Sequence, residues 1–296
     1  MPKPVPQPPP VTHDENFPVA SWLCPPKLRA PIRAIYHFAR TADDLADEGL
    51  TTAEQRLGLL HQFKTQFHQY LEPKHPFSDK PINRPDWDRL FASLAHTQRE
   101  WALPISLLDD LLDAFDQDVR WSAQPRYYAN NAELLDYCRR SANPVGRLLL
   151  HLYKVQDPQS LSQSDAICSA LQLINFWQDL GQDLARERHY IPDTALQQAK
   201  LNRSDLVQQA KLGKATPALC QLIEEQVQLA VRLMHQGAPL ARRLPGRIGW
   251  ELCAVVQGGL QVARRIEQCG FDTLAQRPKL GKVDALVILW RTIWHR

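Results

Sequence analysis

Asn175-Phe176-Trp177-Gln178-Asp179-Leu180-Gly181-Gln182-Asp183 places Asn175, Asp179 and Asp183 at four-residue steps. On a helix, residues i and i+4 stack on one face, so this spacing makes a column of three oxygen-bearing side chains. The column is set among Leu171, Leu173, Ile174, Phe176, Trp177 and Leu180. Acids in so apolar a setting are costly unless they are paired or bound to a metal. A second stretch, Asp43-Asp44-Leu45-Ala46-Asp47-Glu48, repeats the four-residue step between Asp43 and Asp47. Stacked carboxylates repel one another, and a hard cation offsets that repulsion. Mg²⁺ takes oxygen ligands and keeps waters and substrate phosphates in its shell. Two facing columns of this kind would hold a diphosphate between them through Mg²⁺.

The remaining composition predicts an all-α, single-domain chain. Of its 296 residues 44% are hydrophobic and 23% charged, which is ordinary for a globular protein. Long stretches are rich in Leu, Ala, Gln, Arg and Glu, all good helix formers. A formal charge of +3 is too small to predict nucleic-acid binding. The six cysteines, at 24, 138, 168, 220, 253 and 269, contain no CxxC pair. They read as packing thiols in a reducing cytoplasm rather than as a zinc cage or redox pair. The Pro-rich start, Met1-Pro2-Lys3-Pro4-Val5-Pro6, lacks the apolar core of a secretory signal. No run of 18 apolar residues predicts a spanning helix.

Taken in order, residues 1–12 read as a disordered Pro-rich tail, and 13–296 as one helical domain. Helices are predicted from about Lys27 to Glu48, with Gly49 as C-cap, and from a Thr51 or Thr52 cap to Leu71. Four prolines mark 72–86 as a loop. Further helices are predicted at 87–102, 104–121, 131–155, 163–186, 204–212, 216–241, 248–269 and 281–294. Pro144 should kink or break the helix that holds it.

In the first acidic helix Tyr36, Arg40, Asp43 or Asp44, and Asp47 share one side, with Arg33 three residues before Tyr36. By itself that helix reads as a solvated face of Arg–Asp pairs, each worth little. The second column changes the balance. Downstream of it come Arg186, Arg188 and Tyr190, and cations there suit the outer oxygens of a phosphate.

Three strings together resemble the squalene/phytoene synthase family of isoprenoid synthases: Phe38-Ala39-Arg40-Thr41-Ala42-Asp43-Asp44-Leu45-Ala46-Asp47-Glu48, Asn175–Asp183, and Arg188-His189-Tyr190-Ile191-Pro192. The resemblance runs from about His13 to the C-terminus. It implies a helical bundle around a central cavity, with two acidic motifs facing each other. Asp43 and Asp47 would then bind metal on one side, and Asn175, Asp179 and Asp183 on the other. Arg40, Arg188 and Tyr190 match positions near the diphosphate, and Tyr36 and Tyr137 positions lining the cavity. His13 matches a family histidine near the diphosphate, with a tail histidine as the alternative. The implied cofactor is Mg²⁺, with Mn²⁺ as a substitute, and no NADPH is expected.

Glu15-Asn16-Phe17-Pro18-Val19-Ala20-Ser21, Ala142-Asn143-Pro144-Val145-Gly146 and Arg277-Pro278-Lys279-Leu280-Gly281-Lys282 resemble the family branch that forms hydroxysqualene in bacterial hopanoid pathways. That branch ionises presqualene diphosphate and quenches the cation with water, releasing diphosphate. Partners would be the substrate and other hopanoid-pathway enzymes, at the inner face of the cell membrane. Departures from members that condense two prenyl diphosphates point the same way: Asp14-Glu15 after His13, Asn143-Pro144 in place of Gly-Thr, Gly259 in place of a Tyr, and Gln178 in place of an Arg. A head-to-head prenyl transferase and a non-catalytic assembly factor are the competing readings. Phe17, Tyr36, Phe38, Tyr137, Phe176 and Trp177 are candidates for cation-stabilising rings. Asn143 or Asn175 would orient the quenching water. The end, Leu289-Trp290-Arg291-Thr292-Ile293-Trp294-His295-Arg296, suits either a membrane interface or a docked last helix.

Overall fold

The computed structural model describes residues 24–47, 52–72 and 85–295. The predicted tail, His13, Phe17, Glu48, Gly49 and most of the predicted loop at 72–86 lie outside them. Among the described residues the fold is all helical. α1 (Pro26–Asp47) buries Leu28, Ile35, Phe38, Ala42 and Ala46 along one stripe. α2 (Ala53–Leu71) begins at Thr52, which forms a capping box with Gln55 and so settles the choice between two threonines. α3 (Pro85–Trp101) and α4 (Ile105–Ala123) complete an N-terminal group. Phe38, Phe63, Phe67, Trp87 and Phe91 interlock there in tilted and edge-on ring contacts.

The predicted helix over 131–155 is two helices, α5 (Asn131–Ser141) and α6 (Asn143–Leu152). The chain leaves helical geometry at Ala142, with φ −123° and ψ −48°. Pro144 sits in the first turn of α6, where its missing N–H costs nothing. The break also lets α5 and α6 present different faces to the interior.

The predicted helix over 163–186 differs more. α7 (Pro158–Gln178) starts five residues earlier than that reading, because the Asp157 side chain accepts from Ser160 N–H and Pro158 opens the first turn. It ends at Gln178, and a short α8 (Leu180–Ala185) follows. Asp179, at φ −102° and ψ 11°, is the joint. The helical hydrogen-bond ladder passes through it: Asp179 N–H donates to the Asn175 carbonyl and Asp183 N–H to the Asp179 carbonyl, both at 2.9 Å. The four-residue column therefore survives the break.

Beyond lie α9 (Asp193–Gln198), which the sequence reading missed, α10 (Arg203–Leu212), α11 (Pro217–Gly237), α12 (Leu240–Arg243), α13 (Gly246–Gln268) and α14 (Lys282–His295). α10 is closed by Gly213 at φ 62°, a left-handed cap. α7 is the central rod: α5, α6, α8, α11, α12 and α13 all pack on it.

The apolar interior falls into two clusters. One joins α1–α4 to Leu148 and Leu152 of α6. The other is built on α7 with α5 and α8–α13. Two cavities lie between α1 and α7, where these cores meet.

α7 and α11 approach closely at Gly237. A Cβ there would lie 2.5 Å from both the Gln163 carbonyl oxygen and Ile167 Cγ1. Backbone cannot step aside as a side-chain tip can. Gly58 of α2, by contrast, has nothing within 4 Å of such a Cβ. Gly237→Ala should therefore destabilise by about 1–3 kcal/mol, whereas Gly58→Ala should be neutral or stabilise by about 0.5–1 kcal/mol. Denaturant midpoints of the two variants check this.

Candidate active site

The first cavity has a volume of about 530 Å³ and a polar lining. Arg40 and Asp43 come from α1, Asp118 from α4, and Tyr137 and Ser141 from α5. Asn175, Phe176, Asp179 and Asp183 come from α7, the joint and α8; Arg186, Arg188 and Tyr190 follow on the next loop, with Arg277 from the segment before α14. Both acidic columns thus face one space. Asp47, one turn beyond Asp43, is bound by Arg188 at its rim, and Arg186 Nη1 stands 3.8 Å from it.

The second cavity, about 390 Å³, is apolar. Ile32, Ile35, Tyr36 and Ala39 of α1 lie about one to three turns before Asp43, and Ile167, Cys168 and Leu171 of α7 about one to two turns before Asn175. The same two helices therefore carry a charged end and an apolar end side by side. Tyr36 belongs to the apolar end, not to the acidic face on which its spacing seemed to put it.

Several other expectations are corrected. Phe38 and Trp177 are fully buried in the two cores and line neither cavity. Asn143 lines neither cavity, and its side-chain oxygen accepts from Ser169 Oγ at 2.9 Å. Of the two amides considered for orienting water, Asn175 alone reaches the polar cavity. Arg33 turns its Nε to the Arg29 carbonyl. Burial pushes the thiol of Cys138 up to about 12 and that of Cys168 up to about 11, which fits packing roles.

The acids are crowded, and arginines answer them. Arg40 reaches both Asp43, at 3.0 Å, and Asp44, at 2.8 Å. Arg188 makes a two-pronged contact with Asp47, and Arg277 does the same with Asp179. Even so, Asp43 is pushed up to about 7, first by burial and then by Asp47. Asp183 is also pushed up to about 7, again mainly by burial, with Asp179 adding to it against the pull of Arg188 and Arg186. At both groups burial and the neighbouring carboxylate outweigh the nearby arginines.

Three features were missed in the sequence. Asp118 sits inside the bundle facing the cavity and accepts a 2.5 Å hydrogen bond from the Tyr137 hydroxyl. Burial raises it to about 6, against the opposing pull of Arg188. It comes from the acid-rich run Asp109–Asp118, in which spacing cannot single it out. Arg277 was quoted only as part of a resemblance string. It is positioned by Gln178, whose buried amide donates to the Pro278 carbonyl at 2.6 Å. Phe176 and Tyr190 stack with ring centroids 3.7 Å apart and planes 11° apart. Tyr137 leans on both, making an aromatic wall beside the acids.

All donors of the two columns are hard oxygens, as Mg²⁺ or Mn²⁺ requires. Among the described residues, no group of three or more His, Cys, Asp or Glu side chains is placed to hold a metal ion by itself. The columns fit a metal whose remaining ligands are substrate phosphate and water.

A sequence profile described as squalene/phytoene synthase matches residues 11–284. A hydroxysqualene synthase of Rhodopseudomonas palustris is 30% identical over 279 residues, covering 93% of this chain and 87% of its own. One from Zymomonas mobilis is 32% identical over 277 residues, covering 92% and 85%. The crystal structure of squalene synthase HpnC from Alicyclobacillus acidocaldarius superposes with a TM-score of 0.74 at 29% identity, covering 88% of this chain and 90% of that one.

Asp43 and Asp183 have folded pKa values above the ordinary carboxylate value, so the folded state binds protons that the unfolded state releases. Their contribution is most favourable below about pH 4 and is lost as pH rises through about 7. Without divalent cation, the thermal midpoint should therefore fall between about pH 5 and about pH 8. Asp43→Asn should flatten that fall and raise the midpoint at the alkaline end. Scanning calorimetry across pH, with and without Mg²⁺ and diphosphate, measures both.

Proposed function

This chain belongs to the squalene/phytoene synthase family, and on that premise we propose that it ionises presqualene diphosphate and quenches the cation with water, giving hydroxysqualene and diphosphate. The observation that carries the reading is the pairing of cavities. A polar chamber lined by crowded carboxylates and an apolar chamber lie one after the other along the same two helices. That division matches a molecule with a diphosphate head and a long hydrocarbon body.

Asp43 and Asp47 on one side, and Asn175, Asp179 and Asp183 on the other, would hold Mg²⁺ or Mn²⁺. When bound, the metal neutralises the charge that builds on the leaving diphosphate. Arg40, Arg186, Arg188 and Arg277, which line the same cavity, would clamp the outer oxygens of that group as its carbon–oxygen bond breaks. In this reading Arg188 and Arg277 leave their carboxylates for phosphate oxygens. Tyr190 supports Arg188 from the loop that carries both. The resemblance adds His13 to this end.

Bond cleavage leaves a cyclopropylcarbinyl cation, which the faces of Phe176, Tyr137 and Tyr190 border without offering a strong nucleophile. Asp118 fixes the Tyr137 hydroxyl and so keeps that ring in the wall. Tyr36 borders the hydrocarbon end. Asn175, in the polar chamber, would orient one water towards the rearranged cation, while the apolar lining excludes others.

The relatives named hydroxysqualene synthase match nearly the whole chain, and the Asn143-Pro144 string points to the same branch. A head-to-head prenyl transferase is the second reading, favoured by the likeness to the solved squalene synthase. An assembly factor would have no need for five intact oxygen ligands. The reaction places the protein in isoprenoid and hopanoid synthesis, facing the cytoplasm and working with the other enzymes of that route at the membrane surface.

Purified protein given presqualene diphosphate and Mg²⁺, without NADPH, should yield hydroxysqualene by gas chromatography with mass detection. Conversion of farnesyl diphosphate to presqualene diphosphate, squalene or dehydrosqualene would transfer it to the condensing branch. Asp179→Asn and Asp43→Asn should each lower turnover by about two orders of magnitude or more, with helical circular dichroism unchanged. Near-normal rates in both would sink the two-column arrangement.

A further inference from the structure

α14 is mounted with its polar side inward and its apolar side out. Val283, Leu286, Leu289, Trp290, Ile293 and Trp294 are each 57–71% exposed. At 100° per residue they form one continuous stripe. A surface helix of a soluble protein normally shows the opposite arrangement.

The orientation is fixed by strong contacts. Asp284 is 1% exposed and accepts from Gln261 Nε2 at 2.7 Å, Arg265 Nη2 at 2.9 Å and Gly281 N–H at 2.6 Å. Arg265 and these donors hold its carboxyl down to about 2. Arg291 reaches Gln261 at 3.0 Å from the same side. These bonds pin α14 to α13 and prevent the helix from rolling its stripe onto the core.

Charge indicates what covers the stripe. Between residues 273 and 295 the cations are Arg277, Lys279, Lys282 and Arg291, and the one acid is the buried Asp284. Lys279 and Lys282 are exposed at the start of the stripe. Two tryptophans stand at its other end, their rings 6.1 Å apart. Apolar residues with a tryptophan pair and flanking lysines match the interface of an anionic bilayer, where indole rings sit at headgroup depth and lysines meet phosphates. The stripe's tryptophan end is also one helix away from the apolar cavity. The Thr292 carbonyl accepts from Cys253 of α13, and neighbouring Leu252 and Val255 line that cavity.

We propose that α14 is the membrane-docking surface of this protein, lying flat in the headgroup region of an anionic bilayer with its apolar cavity close to the lipid. The inference rests on the proposed reaction only for its purpose, since a thirty-carbon substrate and product dissolve in lipid rather than water. Its test involves no catalysis.

Full-length protein would be floated with phosphatidylcholine vesicles containing phosphatidylglycerol, and with phosphatidylcholine alone. Wild type should partition onto the anionic vesicles and be released by salt. A variant carrying Leu286→Ser, Trp290→Ser and Trp294→Ser should lose about tenfold or more of that partitioning with an unchanged thermal midpoint. Lys279→Glu with Lys282→Glu should lower binding to anionic vesicles only. The proposal is overturned by a wild type that floats with neither vesicle, or by variants that float as wild type does. A wild-type dimer that the triple serine variant converts to monomers would also overturn it, by showing that the stripe is covered by a second copy. None of these results would alter the product analysis.

Discussion

Like charge held close together inside a low-dielectric bundle is the constraint to which the rest of the molecule answers. Asp43, Asp118, Asp179 and Asp183 line one cavity, with Asp47 close enough to raise Asp43 further, and no arrangement of hydrocarbon can make that favourable. The chain supplies arginines from three separate segments, α1, the loop after α8 and the stretch before α14, and still leaves two carboxyls near 7. On the proposed reading, that excess of negative charge is what would make the cavity receptive to metal and diphosphate together. A site fully neutralised by its own side chains would have little to gain from binding them.

The breaks in the helices serve that arrangement. Ending α7 at Gln178 lets Asp179 act as a joint without losing the hydrogen bonds that align Asn175, Asp179 and Asp183. The same joint brings Gln178 against Pro278, and so places Arg277 opposite Asp179. Ending α5 at Ser141 lets Tyr137 face the acids while α6, starting afresh, supplies Gly146 and Leu149 to the apolar chamber. A straight helix over 131–155 would not present both faces.

What could be seen in the sequence was what repeats locally. The columns at 43/47 and 175/179/183 follow from four-residue spacing, and the α5–α6 break from Pro144. The Thr52 cap and the α2 boundary followed from local chemistry as well. Asp118 was hidden because its partner Tyr137 lies 19 residues away on another helix, within a run of similar acids. Arg277 meets Asp179 across 98 residues, a pairing that no local pattern encodes. Spacing set Tyr36 on the acidic face for a related reason: helical spacing gives a face, and only packing decides which cavity that face meets.

Gly146 carries one more consequence. A Cβ there would lie 2.4 Å from Ser164 Oγ and 2.6 Å from Cys168 Sγ, and all three residues line the apolar chamber. α6 and α7 touch at this point with almost no side chain between them. α6 presents bare backbone to the chamber wall here, so a side chain at 146 would fit only by pushing the Ser164 hydroxyl and the Cys168 thiol of α7 aside.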